Sequence, residues 1–258
     1  MTGQILFKRD TSQIGRLIID HPARRNAITA GMWADIPDVL DKAAKNADLR
    51  VLVVTGAGEH FAAGADISEF ETLYATVESA TGVSAHIAAA MDALAAFPLP
   101  TVAEICGACV GGGCGLALCC DIRLADSTAK FAITPGKLGL VYPFRDIQRL
   151  VNVVGLAHAR DILFSARLLD AEEAARIGLI NRLLRSGHLR EDVRDYTLSI
   201  AGNSRESALV TKHMFALVQS GQTGESEQTR QAFLKSFASG DFREGYRAFL
   251  EKRKPDFS

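Results

Sequence analysis

The chain has 258 residues, of which 48% are hydrophobic and 23% charged, and its 29 basic and 30 acidic side chains give a formal net charge of −1. This composition is typical of a globular protein with one large domain or two small ones, and it excludes a disordered chain. Nucleic-acid binding is disfavoured, because phosphate neutralisation requires a basic surplus that is missing here.

The N-terminal residues show no basic segment followed by an apolar stretch, so we expect no secretory signal peptide. The longest run without a charged residue, 105–120, has sixteen residues and includes five glycines. A membrane helix needs roughly 20 apolar residues. We therefore expect a cytoplasmic protein that does not associate with membranes.

The N-terminal part of the chain begins with two short apolar segments, 5–8 and 15–19, which predict β-strands. Thr29 is a candidate N-cap for a following helix, which Pro37 would interrupt or delay. The run 51–55 is apolar and β-branched without interruption, which is typical of a strand buried on both faces.

The remaining chain predicts further alternation of strands and helices, followed by a helical C-terminal part. Strand–helix–strand units of this length imply parallel strands joined by crossovers. The predicted strands are 101–105, 121–125 and 130–133. The predicted helices are 83–96, a segment ending at 120, 146–154, 156–164, 171–177, 189–202, 204–220, 224–238 and about 241–252.

All five cysteines lie between positions 106 and 120. The spacing of Cys106 and Cys109 resembles half of a zinc site, but a second CxxC or a His-x-x-His partner is missing. Their neighbours are apolar, so we interpret the cysteines as small core residues in a reducing compartment. We expect no metal ion.

Two glycine-centred segments, 60–67 and 107–117, indicate what chemistry the protein performs. Backbone N–H groups at a helix start favour negative charge, and two that converge form an oxyanion hole. A dinucleotide-binding fingerprint would need a small residue where Leu116 or Leu118 stands, and no phosphate-loop pattern with lysine occurs. Tight packing alone could explain one such segment, but not both in this order.

These segments resemble the two signature loops of the crotonase superfamily, the enoyl-CoA hydratases and isomerases. The resemblance extends over essentially the whole chain. The matching segments are 21–27, 61–67, 111–114, 120–123, Phe131, 171–181, 244–245 and 248–253. The resemblance implies an α/β fold with a spiral of ββα turns over residues 1–200, and a helical trimerisation region over 201–258 within the same functional domain.

The resemblance also implies roles for individual residues. The N–H groups of Ala65 and Gly112 would hold the thioester oxygen of an acyl-CoA substrate. Residues that would bind coenzyme A, the last two from a neighbouring subunit, are Ala27, Ala63, Asp66, Ile67, Phe249 and Lys252. The expected assembly is a homotrimer or a dimer of trimers, with no cofactor beyond the coenzyme A of the substrate.

The chain departs from the hydratases at both catalytic glutamates. Gly115 stands at the first position, and Gly136, or Pro135 with a one-residue gap, at the second. Hydration needs groups that activate water and protonate Cα, so an ordinary hydratase is disfavoured. Asp146 is a candidate replacement, although a structural role is favoured for it.

Residues 134–143 resemble the methylmalonyl-CoA decarboxylase branch, in which a tyrosine at the spacing of Tyr142 is functional. That branch has a histidine where this chain has Ala65, and Tyr142 could equally be a core aromatic residue. Decarboxylation of a malonyl-type thioester through an enolate is the leading prediction. The alternatives are a hydratase or isomerase with a non-standard acid/base, and an inactive protein that binds CoA thioesters.

Overall fold

A computed structural model describes residues 3–257. Met1, Thr2 and Ser258, which the predicted boundaries 1–200 and 201–258 include, lie outside the described residues. The division at residue 200 stays a prediction. No helix among the described residues is both long and apolar enough to cross a membrane.

Within residues 3–257, eight strands form a large sheet and a small one. The strands are β1 (Gln4–Arg9), β2 (Ile14–Asp20), β3 (Val51–Gly56), β4 (Thr101–Ile105), β5 (Ala108–Val110), β6 (Ile122–Asp126), β7 (Lys130–Ala132) and β8 (Arg182–Leu184). The large sheet has the order β1-β2-β3-β4-β6-β8, and only the β1–β2 pair is antiparallel. β5 and β7 form the small sheet as a parallel pair.

In the part of the chain that the structure describes, ten α-helices connect and follow these strands. They are α1 (Ala30–Ala44), α2 (Phe70–Leu73), α3 (Val77–Ala95), α4 (Gly112–Cys119), α5 (Phe144–Ser165), α6 (Ala171–Arg176), α7 (Leu189–Ala201), α8 (Arg205–Gln219), α9 (Glu227–Ser236) and α10 (Gly240–Leu250). Short 3-10 segments are Pro22–Arg24, Ile67–Glu69 and Pro135–Leu138.

The chain advances in ββα turns. β4 lies in the large sheet, β5 in the small sheet, and α4 returns the chain for the next turn, which repeats the pattern with β6, β7 and α5. The preceding turn contributes a single bridge, Ala62 with Cys109, beside the small sheet. This is the spiral of ββα turns expected from the resemblance.

The large sheet is covered on both faces. In β3, Leu52 and Val54 belong to the main core with helices α1 and α3, whereas Val51 and Val53 pack on the other face with α7. Every side chain of 51–55 is buried, which confirms the prediction of a strand buried on both faces.

Polar side chains connect consecutive turns of the spiral. Asn26 donates from Nδ2 to the carbonyl oxygens of Ala57 and His60, at 2.9 and 2.6 Å. The Nδ1 atom of His60 accepts the N–H of Ala108 at 3.1 Å. The first three turns are therefore tied together through one histidine.

The structure corrects two details of the predicted helices and confirms a third. Pro37 neither interrupts nor delays α1, which continues through it because Trp33, Ile36 and Leu40 bury one face of the helix. Helix α3 begins at Val77 and not at 83, since Thr76 caps it with a reciprocal hydrogen-bonded box. The predicted break between 146–154 and 156–164 is confirmed, because the backbone of α5 leaves the helical conformation at Gly155, whose φ and ψ are 74° and 164°.

Candidate active site

The loop after β3 holds the N–H of Ala65 in place from both sides. The carbonyl of Gly64 accepts the N–H of Ile28 at 2.7 Å, and the N–H of Asp66 donates to the Ile28 carbonyl at 2.9 Å. The N–H of Ala65, between them, has no backbone partner among residues 3–257. A rigidly held, unpaired donor results.

The second donor comes from the start of α4. Gly111 is the N-cap, with φ 54° and ψ −120°, a conformation that favours glycine. Its N–H is fixed to the carbonyl of Ala132 at 2.8 Å. The N–H of Gly112 follows as the first of the helix N-terminal amides, which have no partner within the helix.

The structure brings these two donors together. A Cβ added to Gly112 would lie 3.8 Å from the nitrogen of Ala65, and a Cβ added to Gly64 would lie 3.4 Å from the nitrogen of Gly112. Two adjacent unpaired N–H groups, one at a helix start, can together stabilise a developing negative oxygen. The geometry fits an oxyanion hole, the role predicted for Ala65 and Gly112.

Four of the predicted coenzyme-binding positions lie around this hole. Ala27 is buried. The N–H of Ala63 donates to the carbonyl of Arg25 at 3.0 Å, so the loop around Ala63 lies beside the segment that contains Ala27. Ile67 is 62% exposed at the rim. Their predicted contact with coenzyme A stays a prediction.

At the fourth of these positions, the carboxylate of Asp66 binds other residues of the protein. Its buried carboxylate accepts from the N–H and hydroxyl of Ser68, at 3.0 and 2.7 Å, and from Arg24 at 2.9 Å. Burial raises the pKa of Asp66, but the Ser68 and Arg24 contacts outweigh it, so the pKa is lowered. Asp66 therefore shapes the loop through its side chain and could meet a ligand only through its main chain.

The two C-terminal positions lie at the end of α10. Phe249 is 82% exposed, and Lys252 is exposed with a left-handed φ of 53°. Their predicted role requires that a neighbouring subunit present them to the hole. It stays a prediction.

The positions of the missing glutamates have different surroundings. Gly115 is buried in α4, and a Cβ there would lie 2.6 Å from Cε of Met91 and 3.5 Å from the hydroxyl of Tyr142. Gly136 is exposed, and the nearest atom to its added Cβ is the Leu163 carbonyl oxygen at 3.9 Å. Met91 and Tyr142 thus border the space that a residue-115 side chain would enter.

Tyr142 turns its hydroxyl inwards. The residue as a whole is half-buried, but the hydroxyl has no solvent exposure and no hydrogen-bond partner among the described residues. Burial, reinforced by Cys114 and Asp146, raises the pKa of Tyr142 well above its ordinary value. The hydroxyl is therefore protonated at neutral pH and can act as a hydrogen-bond donor, but not as a base.

Asp146 is held in an ion-pair network in the first turn of α5. Arg149 bridges it to Asp92, with N–O distances of 2.6 Å on each side, and Arg145 also contacts Asp92. Burial raises the pKa of Asp146, although Arg149 opposes the shift. These contacts give the carboxylate of Asp146 a structural role, which is the role that the sequence favoured.

Sequence reasoning missed two residues of the site. Trp33 lies against Gly112, with Cζ2 2.9 Å from its added Cβ, and Met91 fills the space beside Gly115. Both looked like ordinary apolar residues of amphipathic helices. Only the packing of α1 and α3 on α4 places them at the hole, and no local pattern in the sequence carries that information.

The cysteines are free thiols, four of them buried and Cys106 half-buried. No cluster of three or more potential metal ligands occurs in residues 3–257. A wide groove of about 1230 Å³ lies at the other end of α4, where Cys119, Arg149 and Phe215 contribute to its walls. It is separate from the Ala65–Gly112 hole.

Comparison with known proteins assigns the chain. The profile of the enoyl-CoA hydratase/isomerase family matches residues 9–258. The chain therefore belongs to the enoyl-CoA hydratase/isomerase family.

Similar proteins cover the chain almost completely. A solved structure of an enoyl-CoA hydratase/isomerase family protein from Hyphomonas neptunium is 44% identical, with a TM-score of 0.94 over 98% of this chain and 97% of that one. An enoyl-CoA hydratase/carnithine racemase structure from Magnetospirillum magneticum is 32% identical, with a TM-score of 0.95 over 100% and 96%. The crotonyl-CoA hydratase of Syntrophomonas wolfei is 32% identical over 93% of each chain. The crotonase-like fold is thereby confirmed.

Proposed function

We propose that the protein is an acyl-CoA enzyme that stabilises a thioester enolate at Ala65 and Gly112 and decarboxylates a malonyl-type substrate. The observation that supports decarboxylation most directly is the buried, unpaired hydroxyl of Tyr142. It lies 3.5 Å from the Cβ position of residue 115, where the hydratases carry a glutamate. A neutral donor replaces an anion at this position.

The reaction needs no catalytic base. The bond between Cα and the carboxylate breaks, CO2 leaves, and the electron pair moves into the thioester to give an enolate. The N–H groups of Ala65 and Gly112 stabilise the enolate oxygen, and a proton from solvent completes Cα. The Tyr142 hydroxyl donates to the carboxylate and holds it out of the thioester plane, so that the breaking bond aligns with the carbonyl π system.

Charge favours the same substrate. With glycine at positions 115 and 136, neither glutamate is present to repel a substrate carboxylate. The pKa of Tyr142 is raised by burial, so its proton is available for donation at neutral pH. The hydroxyl of Tyr142 is therefore a complementary hydrogen-bond donor for the carboxylate of the substrate.

A hydratase or isomerase with a non-standard acid/base is the second candidate. Its support is similarity, since relatives such as the Syntrophomonas wolfei protein are named crotonyl-CoA hydratase. Asp146 would supply the acid/base in this case, and burial raises the pKa of its carboxyl above the ordinary value. Its hydrogen bond to Arg149 opposes that role.

Parallel assays separate the two candidates. Wild type and Tyr142→Phe are given crotonyl-CoA and methylmalonyl-CoA, with hydration followed by loss of the enoyl absorbance and decarboxylation by CO2 release. We expect CO2 from the wild type, slow hydration, and a decarboxylation rate in Tyr142→Phe that falls more than CoA affinity does. Fast hydration without CO2 would overturn the proposal and leave Asp146 as the base to test.

A protein that binds CoA thioesters without chemistry is the third candidate. Isothermal titration with acyl-CoAs, beside mass-spectrometric analysis of products from a panel of enoyl-, malonyl- and hydroxyacyl-CoAs, identifies it. Tight binding with no turnover of any thioester would favour the binder.

The proposed assembly is a homotrimer or a dimer of trimers, in which Phe249 and Lys252 of one subunit reach the coenzyme bound by another. Phe249 and Leu250 are 82% and 74% exposed at the end of α10, which supports a covered surface there. We propose that coenzyme A enters as part of the substrate and that no further cofactor is required.

A further inference from the structure

The indole nitrogen of Trp33 is a buried donor with nothing to bind. Trp33 lies in the first turns of α1 and is 1% exposed, and its Nε1 atom has no hydrogen-bond partner among the described residues. Buried donors in proteins are nearly always paired, because an unpaired one loses its hydration without compensation. Such an atom requires an explanation.

The position of the Trp33 indole explains why its nitrogen has no partner. The Cζ2 and Cη2 atoms of Trp33 lie 2.9 and 3.3 Å from the Cβ position of Gly112, and the next atom from that point is the nitrogen of Ala65 at 3.8 Å. The indole therefore forms part of the wall of the hole. Cζ2 is bonded to the ring carbon Cε2, which also carries Nε1, so the indole N–H lies next to the ring edge that approaches Gly112.

Tyr142 provides an independent parallel about one helical turn further along α4. In the described part of the chain, Nε1 of Trp33 and the hydroxyl of Tyr142 are the only buried side-chain nitrogen or oxygen atoms without a partner. One ring lies against Gly112 and the other approaches Gly115, the two ends of a single helical turn. Two unpaired donors around one acyl site are consistent with a ligand that supplies the acceptors.

We propose that the Trp33 Nε1–H is a specificity-determining donor that hydrogen-bonds to an acceptor oxygen on the acyl group, at or beyond the β-carbon. The site then favours acyl-CoAs with a β-oxygen or a carboxylate over plain alkyl thioesters, because an alkyl group leaves the donor unpaired. This inference rests on the proposed function only in that an acyl-CoA occupies the Ala65–Gly112 hole.

The chain contains a single tryptophan, so its indole can be observed alone. Protein labelled with 15N-indole tryptophan gives one indole cross-peak in a 1H–15N spectrum. The probes are acetoacetyl-CoA and butyryl-CoA, which have the same four-carbon chain and differ at the β-carbon oxygen. We expect the indole proton to move downfield with acetoacetyl-CoA and to stay nearly unchanged with butyryl-CoA.

The variant Trp33→Phe removes the donor and keeps an aromatic ring. We expect its affinity for acetoacetyl-CoA to fall about tenfold, and that for butyryl-CoA by less than about threefold, as one lost hydrogen bond implies. Butyryl-CoA corrects for any loosening of the core. If the variant fails to fold, the wild-type spectra decide. Equal indole responses to the two thioesters, equal losses of affinity, or no binding of either probe would overturn the inference.

CO2 release from methylmalonyl-CoA, assayed on the same preparation, keeps the two proposals apart. A selective indole shift without CO2 would support the donor role of Trp33 and defeat the decarboxylase. CO2 release with an indole that does not discriminate between the probes would defeat the donor role and leave the decarboxylase standing.

Discussion

The hydroxyl of Tyr142 and the α-carbon of Gly115 face each other across the interior, with 3.5 Å between the oxygen and the point where a Cβ of residue 115 would stand. A side chain at 115 would also meet Met91 at 2.6 Å. A larger side chain at position 115 would therefore have to displace Met91 and would crowd the hydroxyl of Tyr142. Under the proposed function, this hydroxyl is a neutral donor next to the position at which the hydratases carry a carboxylate.

Gly112→Pro tests the oxyanion hole. Proline is tolerated at the first position of a helix but has no N–H, so thioester turnover should fall by about 10²–10³. The added Cβ would meet Trp33 at 2.9 Å, so Gly112→Ala, which has the same Cβ and keeps the N–H, is the matched control. Steady-state kinetics on folded protein are the measurement. Equal activity of the two variants would contradict the assignment.

Asp66 should make stability depend on acid pH. Its folded-state pKa is below the ordinary value of 3.8, so its contribution is complete above that value and is lost as pH falls through the folded pKa. Asp66→Asn should lower the free energy of unfolding by about 2 kcal/mol at pH 7, since hydrogen bonds to a charged group are lost.

Urea denaturation at pH 7 and near pH 3 measures this effect, and the gap between wild type and Asp66→Asn should narrow at the lower pH. Arg24→Gln serves as the comparison. Arg24 is 50% exposed, so that variant should cost less than about 1 kcal/mol. If the difference in the free energy of unfolding between wild type and Asp66→Asn increased towards acid pH, the predicted direction of the Asp66 pKa shift would be wrong.

The thiols should be unreactive in the native protein. Burial, with Asp126, Glu104 and Glu59 nearby, raises the pKa of Cys106 to about 11, and burial raises that of Cys119 to about 12. At pH 8 the thiolate fraction is then at least about a hundredfold below that of a free cysteine of pKa ~8.5. Iodoacetamide labelling followed by mass spectrometry should show slow modification that becomes rapid in urea. Labelling of Cys106 at the rate of a free thiol in folded protein would refute the expectation.

A row of exposed aromatic rings predicts self-association. Phe233, Phe237, Phe242 and Tyr246 contact one another in sequence through edge-to-face or tilted ring pairs, with centroid distances of 5.3, 5.3 and 5.6 Å, and each is at least 44% exposed. Light scattering at micromolar concentration should give the mass of a trimer or hexamer. Phe237→Glu, at the C-cap of α9, should shift the protein towards monomer, whereas Lys235→Glu in the last turn of α9 should not. A monomeric wild type would contradict the assembly.

The sequence predicted the scaffold well where the signal is local. Thr29 caps α1 as expected, and the β-branched run 51–55 forms a fully buried strand. β5 and β8 were missed because each has only three residues and lies in a segment interpreted otherwise, β5 in the glycine-centred segment 107–117 and β8 in the part of the chain expected to be helical. The equally short β7 was predicted from the run 130–133. Thr76 was also missed as the cap of α3, since its capping box uses Ser79 in place of the usual acidic residue.

In the candidate site, too, some residues could be identified from the sequence and others only from the packing of helices. The family resemblance implied that the N–H groups of Ala65 and Gly112 are oxyanion donors, and the structure places these two groups side by side. Their role stays a prediction. Trp33 depends on the packing of α1 against α4, a contact between residues about 80 positions apart that no window of sequence can show. Local chemistry is readable from the chain, whereas the shape of the acyl pocket is a tertiary property.

The bonds that run through Asn26, His60 and Ala108 have a consequence for how the protein unfolds. A spiral of similar turns could melt from one end, turn by turn, with a separate stability for each. Here the first turn holds the loop of the second, and that loop holds the third. The three turns should therefore denature as one cooperative unit, and a calorimetric trace should show them in a single peak.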